Sequence, residues 1–304
     1  MRRLLIAAVA VAALTIGGCA PGTGPGPSSS RQTAPTTSAQ TTPAEPTSAA
    51  YVHLGDSYAA GSGVTPLVED SDLLCLRSQR NFGEIIAAQR HSQYPTFRDV
   101  ACAGATTADL SASQHPGVAP QLDALGPDTR LVTLMLGGND GGTFGSAVAD
   151  CSGVVADDPA GSPCRSRYGS RFADYVTTTT RPALVRALAA IRGRAPSARV
   201  VIVGYPWLLP PTSGCYPTMR IATGDVGYLR TLQATLDDAA RAAAAQTGAT
   251  FVSMATVSEG HDACAGAQRR WVEPMVGATT TVTLHPNAAG QRALAAATLA
   301  ALGS

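Results

Sequence analysis

The stretch YVHLGDSYAAGSG, residues 51–63, changes abruptly from apolar to small and polar residues. Residues 51–54 have the length and the aromatic and apolar character of a buried strand, which Gly55 ends. Asp56, directly after it, is expected to hold the turn through hydrogen bonds to neighbouring backbone N–H groups. Ser57 then presents a hydroxyl, and small residues that would let a substrate approach it follow at Ala59, Ala60, Gly61 and Gly63.

Further apolar runs alternate with longer amphipathic segments along the chain, at residues 100–103, 131–136, 199–203 and 250–254. This alternation predicts βαβ units and an α/β fold with a parallel sheet of about five strands. Helical spacing predicts helices over residues 171–192 and 226–246, and a last helix from Pro286 to about residue 302. The insert 141–170, rich in Gly, Asp and Pro, is predicted to be a loop or lid outside the core.

The N-terminus has the pattern of an export signal. Arg2 and Arg3 precede an apolar stretch, residues 4–16, that closes on Gly-Gly-Cys19. A helix that spans a bilayer needs about 20 apolar residues, so this stretch is too short for a permanent span. Small residues before a cysteine resemble a bacterial lipobox, which predicts a signal peptide over residues 1–18 and a lipidated Cys19. The alternative is a plain secretory leader.

Residues 19–49 are dominated by Pro, Gly, Ser, Thr, Ala and Gln, which predicts a disordered tether. Residues 50–304 then remain as one domain. The net charge of +1 and the 14% of charged residues leave no basic stripe for phosphates, so nucleic acid is not expected as a partner. A neutral or apolar partner is expected instead.

The seven cysteines indicate disulfides. Six remain after Cys19 is assigned to lipid, and an even number in an exported chain favours pairing over metal binding. Among fifteen possible pairings, the sequential one closes local loops worth about 3 to 4 kcal/mol each. This pairing is Cys75–Cys102, Cys151–Cys164 and Cys215–Cys264. His261 with Cys264 could hint at zinc, but no CxxC partner is present, and no metal is expected.

Polar or small residues stand where the predicted strands end, the position where open parallel sheets bind ligands. Ser57 follows the first run, Gly104 the second and Asn139 the third, while His285 precedes the last helix. Each alone is typical of a turn or cap. Together they supply a nucleophile, a base and donors for an oxyanion hole, namely the N–H groups of Ser57 and Gly104 and the carboxamide of Asn139. This is the chemistry of a serine hydrolase that needs no cofactor. The other histidines have simpler interpretations. His53 is expected to be a packed core residue, and the remaining three are expected to lie in polar loops: His91, His115 and His261.

These segments resemble the four blocks of the SGNH, or GDSL, hydrolase family. The blocks are Gly55-Asp56-Ser57, Gly104, Gly137-Gly138-Asn139-Asp140 and His285-Pro286, in the family's order. The resemblance implies a flavodoxin-like, three-layer α/β/α sandwich, with Ser57 and His285 as catalytic residues and Ser57, Gly104 and Asn139 as the oxyanion hole. The six cysteines resemble a secreted bacterial subgroup of esterases and lipases with three sequential disulfides.

One position departs from the family pattern. The family usually has an Asp three residues before the histidine, where this chain has Val282. We therefore expect a Ser57–His285 dyad in which the ring donates to a main-chain carbonyl, most simply that of Val282, as the subgroup does. A carbonyl fixes the tautomer but stabilises the imidazolium less than a carboxylate. Glu273 is the alternative source of a carboxylate.

The expected function is that of an exported serine esterase or lipase, held on the outer side of the cell membrane by Cys19 or released from it. Its expected partner is a lipid or small acyl ester. Two alternatives remain at this point: an esterase or acyltransferase for O-acyl groups on envelope glycans, and an anchored binding module without activity, which the missing Asp favours. The oligomeric state cannot be read from the sequence.

Overall fold

The computed structural model describes residues 49–303. The predicted signal peptide, the lipidation at Cys19 and nearly all of the predicted tether lie outside the described residues. Within residues 49–303, no helix has both the length and the apolar character needed to cross a membrane.

A five-stranded sheet forms the centre of the fold. Its strands are β1 (Tyr51–Gly55), β2 (Phe97–Asp99), β3 (Leu131–Met135), β4 (Arg199–Val203) and β5 (Thr250–Val252). They lie in the order β2-β1-β3-β4-β5 and every neighbouring pair is parallel. This is the flavodoxin-like order. All residues of β1 and β3 are buried, because helices cover both faces of the sheet.

The helices form the two outer layers. They are α1 (Ser57–Ala60), α2 (Phe82–Gln89), α3 (Thr143–Val154), α4 (Pro163–Tyr168), α5 (Arg171–Tyr175), α6 (Arg181–Arg194), α7 (Val226–Thr247) and α8 (Ala288–Leu302). Side chains alternate along each strand. Val52 and Leu54 therefore pack in one core with α6 and α7, whereas Tyr51 packs in a second core with α2 and α8. The predicted α/β/α sandwich is confirmed.

The second strand lies earlier than its predicted position. Pairing with β1 starts at Phe97, and residues 100–103 continue beside β1 only through separate hydrogen bonds. Val100 N donates to His53 O at 2.9 Å and Cys102 N donates to Gly55 O at 3.0 Å. The apolar run 100–103 thus marks the more buried residues that follow β2, and not the residues that pair with β1. The pairing residues are less apolar because β2 is a short edge strand that is partly exposed.

The insert 141–170 was predicted to be a loop or lid outside the core. It instead carries helices α3 and α4 and contributes to the larger core. Ala147, Val148, Cys151 and Val154 are buried on one side of α3. Their spacing is helical, but the high content of Gly and Asp obscures it. The prediction of a loop was wrong because burial of these helically spaced residues outweighs the low helix propensity of Gly and Asp.

The last helix also begins later than predicted. Asn287, not His285, is the N-cap of α8, and its side chain accepts hydrogen bonds from the N–H groups of Ala289 and Gly290. The predicted helix over residues 171–192 is present as α5 and α6, joined by a π-helical segment, Val176–Thr180. The helix predicted over residues 226–246 is α7, and Gly248 ends it in the left-handed region with φ 70°.

Three sequential disulfides are present: Cys75–Cys102, Cys151–Cys164 and Cys215–Cys264. The predicted pairing is confirmed. Cys264 is committed to Cys215, and the ring of His261 stacks on Trp271 with centroids 4.0 Å apart, which removes the suggestion of a zinc site there.

Candidate active site

Ser57 lies at the carboxyl end of β1, as the first residue of α1. Gly55 ends the strand with φ 127°, and a Cβ there would lie 2.3 Å from Met135 O, so only glycine fits. Asp56 is the N-cap, and its Oδ1 accepts from Tyr58 N at 2.9 Å. The prediction that Asp56 holds the turn is confirmed. The Gly-Asp-Ser order is thus a structural requirement for presenting one hydroxyl at the edge of the sheet.

The structure brings His285 to Ser57. Nε2 of His285 lies 2.8 Å from Oγ of Ser57, a hydrogen-bond distance that allows proton transfer between them. The two residues are 228 positions apart in the chain, so the contact depends entirely on the fold.

The carbonyl that orients the imidazole is that of Thr283, not Val282. Nδ1 of His285 lies 2.7 Å from Thr283 O, whereas Val282 O accepts from Oγ1 of Thr280 at 3.0 Å. The prediction of Val282 was wrong because Leu284 has φ 63°, and this left-handed turn folds the carbonyl of Thr283 back towards the ring. The principle of a main-chain carbonyl in place of a carboxylate agrees with the geometry.

Glu273 supports the histidine loop but does not contact the imidazole. Its carboxylate accepts hydrogen bonds from Arg270, Thr279 and Asn287. Burial raises the pKa of Glu273, but these hydrogen bonds outweigh it and bring the pKa below its ordinary value. The backbone of Glu273 pairs with the loop, donating to His285 O at 3.0 Å and accepting from Leu284 N at 2.9 Å. Glu273 therefore helps to position the loop of His285, but its carboxylate does not form an ion pair with the imidazole.

The residues expected to form the oxyanion hole line the same cavity. Gly104 has φ 79°, and Ser57, Gly104, Asn139 and His285 all line one cavity. Nδ2 of Asn139 donates to Ala105 O at 3.1 Å, which leaves the second N–H of the carboxamide for another acceptor. The sequence expectation that these four residues meet is consistent with this arrangement.

Two loops carry these donors, and Asp140 fastens them together. Its carboxylate accepts from Thr107 N at 2.8 Å and from Thr107 Oγ1 at 2.9 Å. This pairing joins the segment after Gly104 to the segment after Asn139. These hydrogen bonds therefore fix the position of the two loops relative to each other.

The cavity has a volume of about 340 Å³ and mostly apolar walls. Hydrocarbon side chains from several separate elements form these walls: Leu76, Phe144, Val148, Leu208, Leu236 and Val282. Such a cavity, with a few polar groups at one end, suits a ligand with a hydrocarbon chain and one reacting polar group.

Comparison with known proteins shows the family of this chain. Residues 53–293 match the sequence model of the GDSL-like Lipase/Acylhydrolase family. The chain belongs to this family. It is 49% identical to "Lipase 2" of Streptomyces coelicolor over 83% of this chain and 85% of that protein, and 34% identical to "Lipase 1" of the same organism over 79% and 82%.

Two solved structures have the same fold. Phospholipase A1 from Streptomyces albidoflavus aligns with a TM-score of 0.68 and 26% identity, over 83% of this chain and 98% of that one. The extracellular lipase from Streptomyces rimosus aligns with a TM-score of 0.66 and 27% identity, over 82% and 97%. This GDSL-like protein is thus a carboxylic ester hydrolase.

Two tyrosines, which the sequence analysis missed, support the site of this acylhydrolase. The hydroxyl of Tyr58 donates to Leu284 O at 2.5 Å, and its ring centroid lies 4.9 Å from that of His285. The hydroxyl of Tyr205 donates to Oδ2 of Asp56 at 2.5 Å and accepts from Gly138 N at 3.1 Å. Tyr58 could have been singled out as the neighbour of Ser57, but nothing local marks Tyr205, which follows β4.

Burial changes the titration of the groups around Ser57. It lowers the pKa of His285, and the hydrogen bond with Thr283 opposes this only in part, so the imidazole is neutral and able to accept a proton at neutral pH. Burial also raises the pKa of Asp56 to about 6, although hydrogen bonds from Tyr205 and from backbone N–H groups lower it.

His53 is a packed core residue, as predicted. It is fully buried in β1, with Nδ1 2.7 Å from Thr133 Oγ1 and Nε2 3.1 Å from Ala59 O. It has no access to the cavity and takes no part in the candidate site.

Proposed function

We propose that this protein is an exported lipase or esterase that hydrolyses carboxylic esters through an acyl-enzyme on Ser57. The observation that carries the proposal is the 2.8 Å contact between Ser57 Oγ and His285 Nε2 at the polar end of an apolar cavity. A binding module without activity would have no need for this pairing.

The chemistry follows from the positions of the groups. Nε2 of His285 takes the proton of Ser57 as Oγ attacks the ester carbonyl carbon. The N–H groups of Ser57 and Gly104, with the carboxamide of Asn139, stabilise the oxyanion, and one such donor is commonly worth about 10² to 10³ in turnover. His285 then gives its proton to the leaving alcohol, and a water molecule activated by the same imidazole hydrolyses the acyl-enzyme.

Among the residues that the structure describes, the carbonyl of Thr283 is the one hydrogen-bond acceptor at Nδ1 of the imidazolium that forms during this cycle. A carbonyl dipole fixes the tautomer, with the proton on Nδ1, but stabilises the positive charge less than a carboxylate does. Tyr58 adds no charge to offset this weaker stabilisation. It helps to fix the position of the imidazole, because its hydroxyl donates a hydrogen bond to the carbonyl of Leu284 next to the ring.

The substrate we infer is a lipid ester, whose acyl chain occupies the apolar cavity. The relatives called "Lipase 2" and "Lipase 1" support this class of substrate, as does the lining of the cavity. The glycan O-acyl ester that the sequence left open has less support, since hydrocarbon side chains rather than sugar-binding polar groups form most of the walls.

We infer an exported location from the three disulfides, which persist in oxidising compartments, and from the similarity to an extracellular lipase. Lipidation of Cys19 remains a proposal from the sequence. Mass spectrometry of the mature N-terminus decides it: a diacylated Cys19 supports an anchored enzyme, whereas cleavage elsewhere in the leader indicates a released one.

Substitution of the dyad tests the mechanism. We expect Ser57→Ala and His285→Ala each to lower kcat/KM for p-nitrophenyl esters by at least about 10⁴-fold, because the two groups act as a unit. A fluorophosphonate probe should label the wild type and fail to label Ser57→Ala.

Ser111→Ala and His91→Ala are matched controls, since both residues lie outside the cavity, and they should keep wild-type rates. Undiminished hydrolysis by Ser57→Ala would contradict the proposal, and so would a folded wild type that neither reacts with the probe nor hydrolyses any ester of the series.

A further inference from the structure

Residues 67–78 form a hairpin-like excursion whose tip exposes two leucines. An antiparallel bridge joins Leu67 to Ser78, and Val68 N donates to Arg77 O at 2.9 Å. At the tip, Leu73 is 74% exposed and Leu74 is 60% exposed, the highest values among the exposed large hydrophobic residues in the part of the chain that the structure describes.

The tip is fixed, so the leucines have no route into the core. Asp72 caps the short 3₁₀ helix Leu73–Cys75 by accepting from Leu74 N at 2.8 Å. Cys75 is bonded to Cys102, and Arg77 Nη1 donates to Asp99 O at 3.0 Å. Two adjacent leucines exposed on a fixed turn are typical of an interaction site, whereas single exposed apolar residues are ordinary.

The same contacts place this tip at the rim of the ester site. Cys102 is two residues before Gly104, and Ala103 N donates to Cys75 O at 3.0 Å. Leu76, directly after the disulfide-bonded Cys75, lines the cavity together with Ala103 and Gly104. The exposed leucines therefore lie two and three residues before Leu76 of the cavity wall, on the side of Gly104.

The chemistry of the tip indicates what covers it. The two side chains are aliphatic, without the Trp, Tyr and Arg residues that dominate protein interfaces. Within residues 67–78 the acidic residues Glu69, Asp70 and Asp72 outnumber the one basic residue, Arg77, and this negative charge disfavours an anionic surface. Long-chain esters are presented to an enzyme in aggregates, which meet the protein at the rim of its cavity.

We propose that Leu73 and Leu74 insert into a zwitterionic lipid surface and hold the mouth of the cavity against it. This inference rests on the proposed function in that it takes the substrate to be a lipid ester. The leucines act on the aggregate and not on the reacting ester, because neither lines the cavity.

Binding to vesicles tests the proposal without catalysis. In a Ser57→Ala background, we compare flotation with phosphatidylcholine vesicles for the parent, Leu73→Ser, Leu74→Ser and the double variant. Burying a leucine is worth about 1.5 to 3 kcal/mol, so each substitution should weaken vesicle affinity by about tenfold or more. Phosphatidylglycerol vesicles should bind the parent more weakly.

Val257→Ser is the matched control. Val257 is 48% exposed but follows β5, at the opposite edge of the sheet from β2, to which the leucine tip is tied. It should leave vesicle affinity unchanged. Equal affinity for the parent and the double variant, or stronger binding to phosphatidylglycerol, would overturn the proposal.

An activity measurement separates this inference from the proposed function. With Ser57 intact, the double leucine variant should hydrolyse soluble p-nitrophenyl butyrate like the wild type, but p-nitrophenyl palmitate in phosphatidylcholine vesicles at least about tenfold more slowly. Equal loss on both esters would overturn the interfacial role. A wild type that hydrolyses neither ester defeats the proposed function, while the flotation result still decides the surface.

Discussion

Leu284 shows how a single backbone angle sets the geometry of the base. Its φ of 63° turns the chain so that Thr283 O, rather than Val282 O, faces Nδ1 of His285. The type of residue that carries an accepting main-chain carbonyl is irrelevant to this contact, so the sequence could predict a main-chain partner but could not identify which one. The sequence likewise could not identify Tyr205 as the partner of Asp56, because the two residues are 149 positions apart in the chain.

The lowered pKa of His285 leads to a prediction for the pH profile. The base must be neutral to accept the proton of Ser57, and burial holds its pKa below 6.5. The acid limb of kcat/KM for a soluble p-nitrophenyl ester should therefore have its midpoint below 6.5, with a plateau through neutral pH.

An NMR titration of the His285 imidazole in Ser57→Ala should show a lowered pKa. The His285 signals are assigned by comparison with the Ser57→Ala/His285→Ala double variant, so the titration of Asp56 is not mistaken for that of the imidazole. A histidine midpoint above 7 would show that the site favours the imidazolium, contrary to the expected effect of burial.

At the scale of elements, α3 brings the insert into the wall of the cavity. Phe144, Gly145 and Val148 on this helix line the site, although composition alone predicted a loop. Gly145 is exposed at the rim, and a Cβ there would meet nothing within 4 Å. This leaves room for a larger side chain without repacking.

We predict that Gly145→Leu shortens the acyl chains that the enzyme accepts. The added side chain should lower kcat/KM for p-nitrophenyl palmitate by about tenfold or more relative to the acetate, since it occupies space that a long chain needs. The helix should tolerate it, because replacing Gly inside a helix gains up to about 1 kcal/mol.

Gly153→Leu on the same helix is the control, because Gly153 also has open space around its Cβ but does not line the cavity. An unchanged chain-length profile for Gly145→Leu would show that the acyl chain leaves the cavity by another side.

The contact between α7 and the segment after β4 contains a buried carboxyl whose ionisation opposes folding. Burial raises the pKa of Asp237 to about 7, although a hydrogen bond from Tyr205 N lowers it. Because the folded-state pKa lies above the unfolded value, this carboxyl costs the fold nothing below about pH 4, and its ionisation destabilises the fold increasingly as the pH rises towards 7. Asp237→Asn, which keeps an acceptor, should thus gain stability over the wild type across this window, by up to about 4 kcal/mol.

Urea unfolding at pH 4.5 and pH 8 measures this difference. Asp238→Asn is the matched control, since that side chain is 75% exposed and its substitution should have little effect at either pH. A stability difference for Asp237→Asn that does not change with pH would contradict the prediction.

At the scale of the whole molecule, the disulfides close loops with sequence separations of 13, 27 and 49 residues. In the chain-entropy model the three crosslinks together contribute about 10 kcal/mol, which is comparable to the about 5 to 15 kcal/mol that stabilises a typical domain. Cys151 and Cys164 join two helices of the insert, and Cys75 and Cys102 hold residues 67–78 beside the segment of Gly104.

We predict that full reduction removes most of the stability of this protein. Calorimetry with dithiothreitol should show a Tm lower by more than about 20 °C, or no cooperative transition, because about 1 kcal/mol shifts Tm by about 2 to 4 °C for a domain of this size. Alkylation and mass measurement establish that all six thiols are free. A fully reduced protein with an unchanged Tm would show that the core alone maintains the fold.

The sequence by itself determined the architecture and predicted the candidate site residues. Apolar runs of strand length specify a parallel sheet, and the positions after those runs place Ser57, Gly104 and Asn139 at its carboxyl edge. Local patterns also identified His285 and the three disulfides. These features are readable because they depend on short-range periodicity and on residue chemistry.

Only the tertiary structure decided which atoms meet. The carbonyl of Thr283, the hydroxyl of Tyr205, the cavity wall from α3 and the placement of Leu73 and Leu74 at the rim all join segments distant in the chain or depend on a single torsion angle. Such contacts arise when packing brings surfaces together, and no local pattern encodes them.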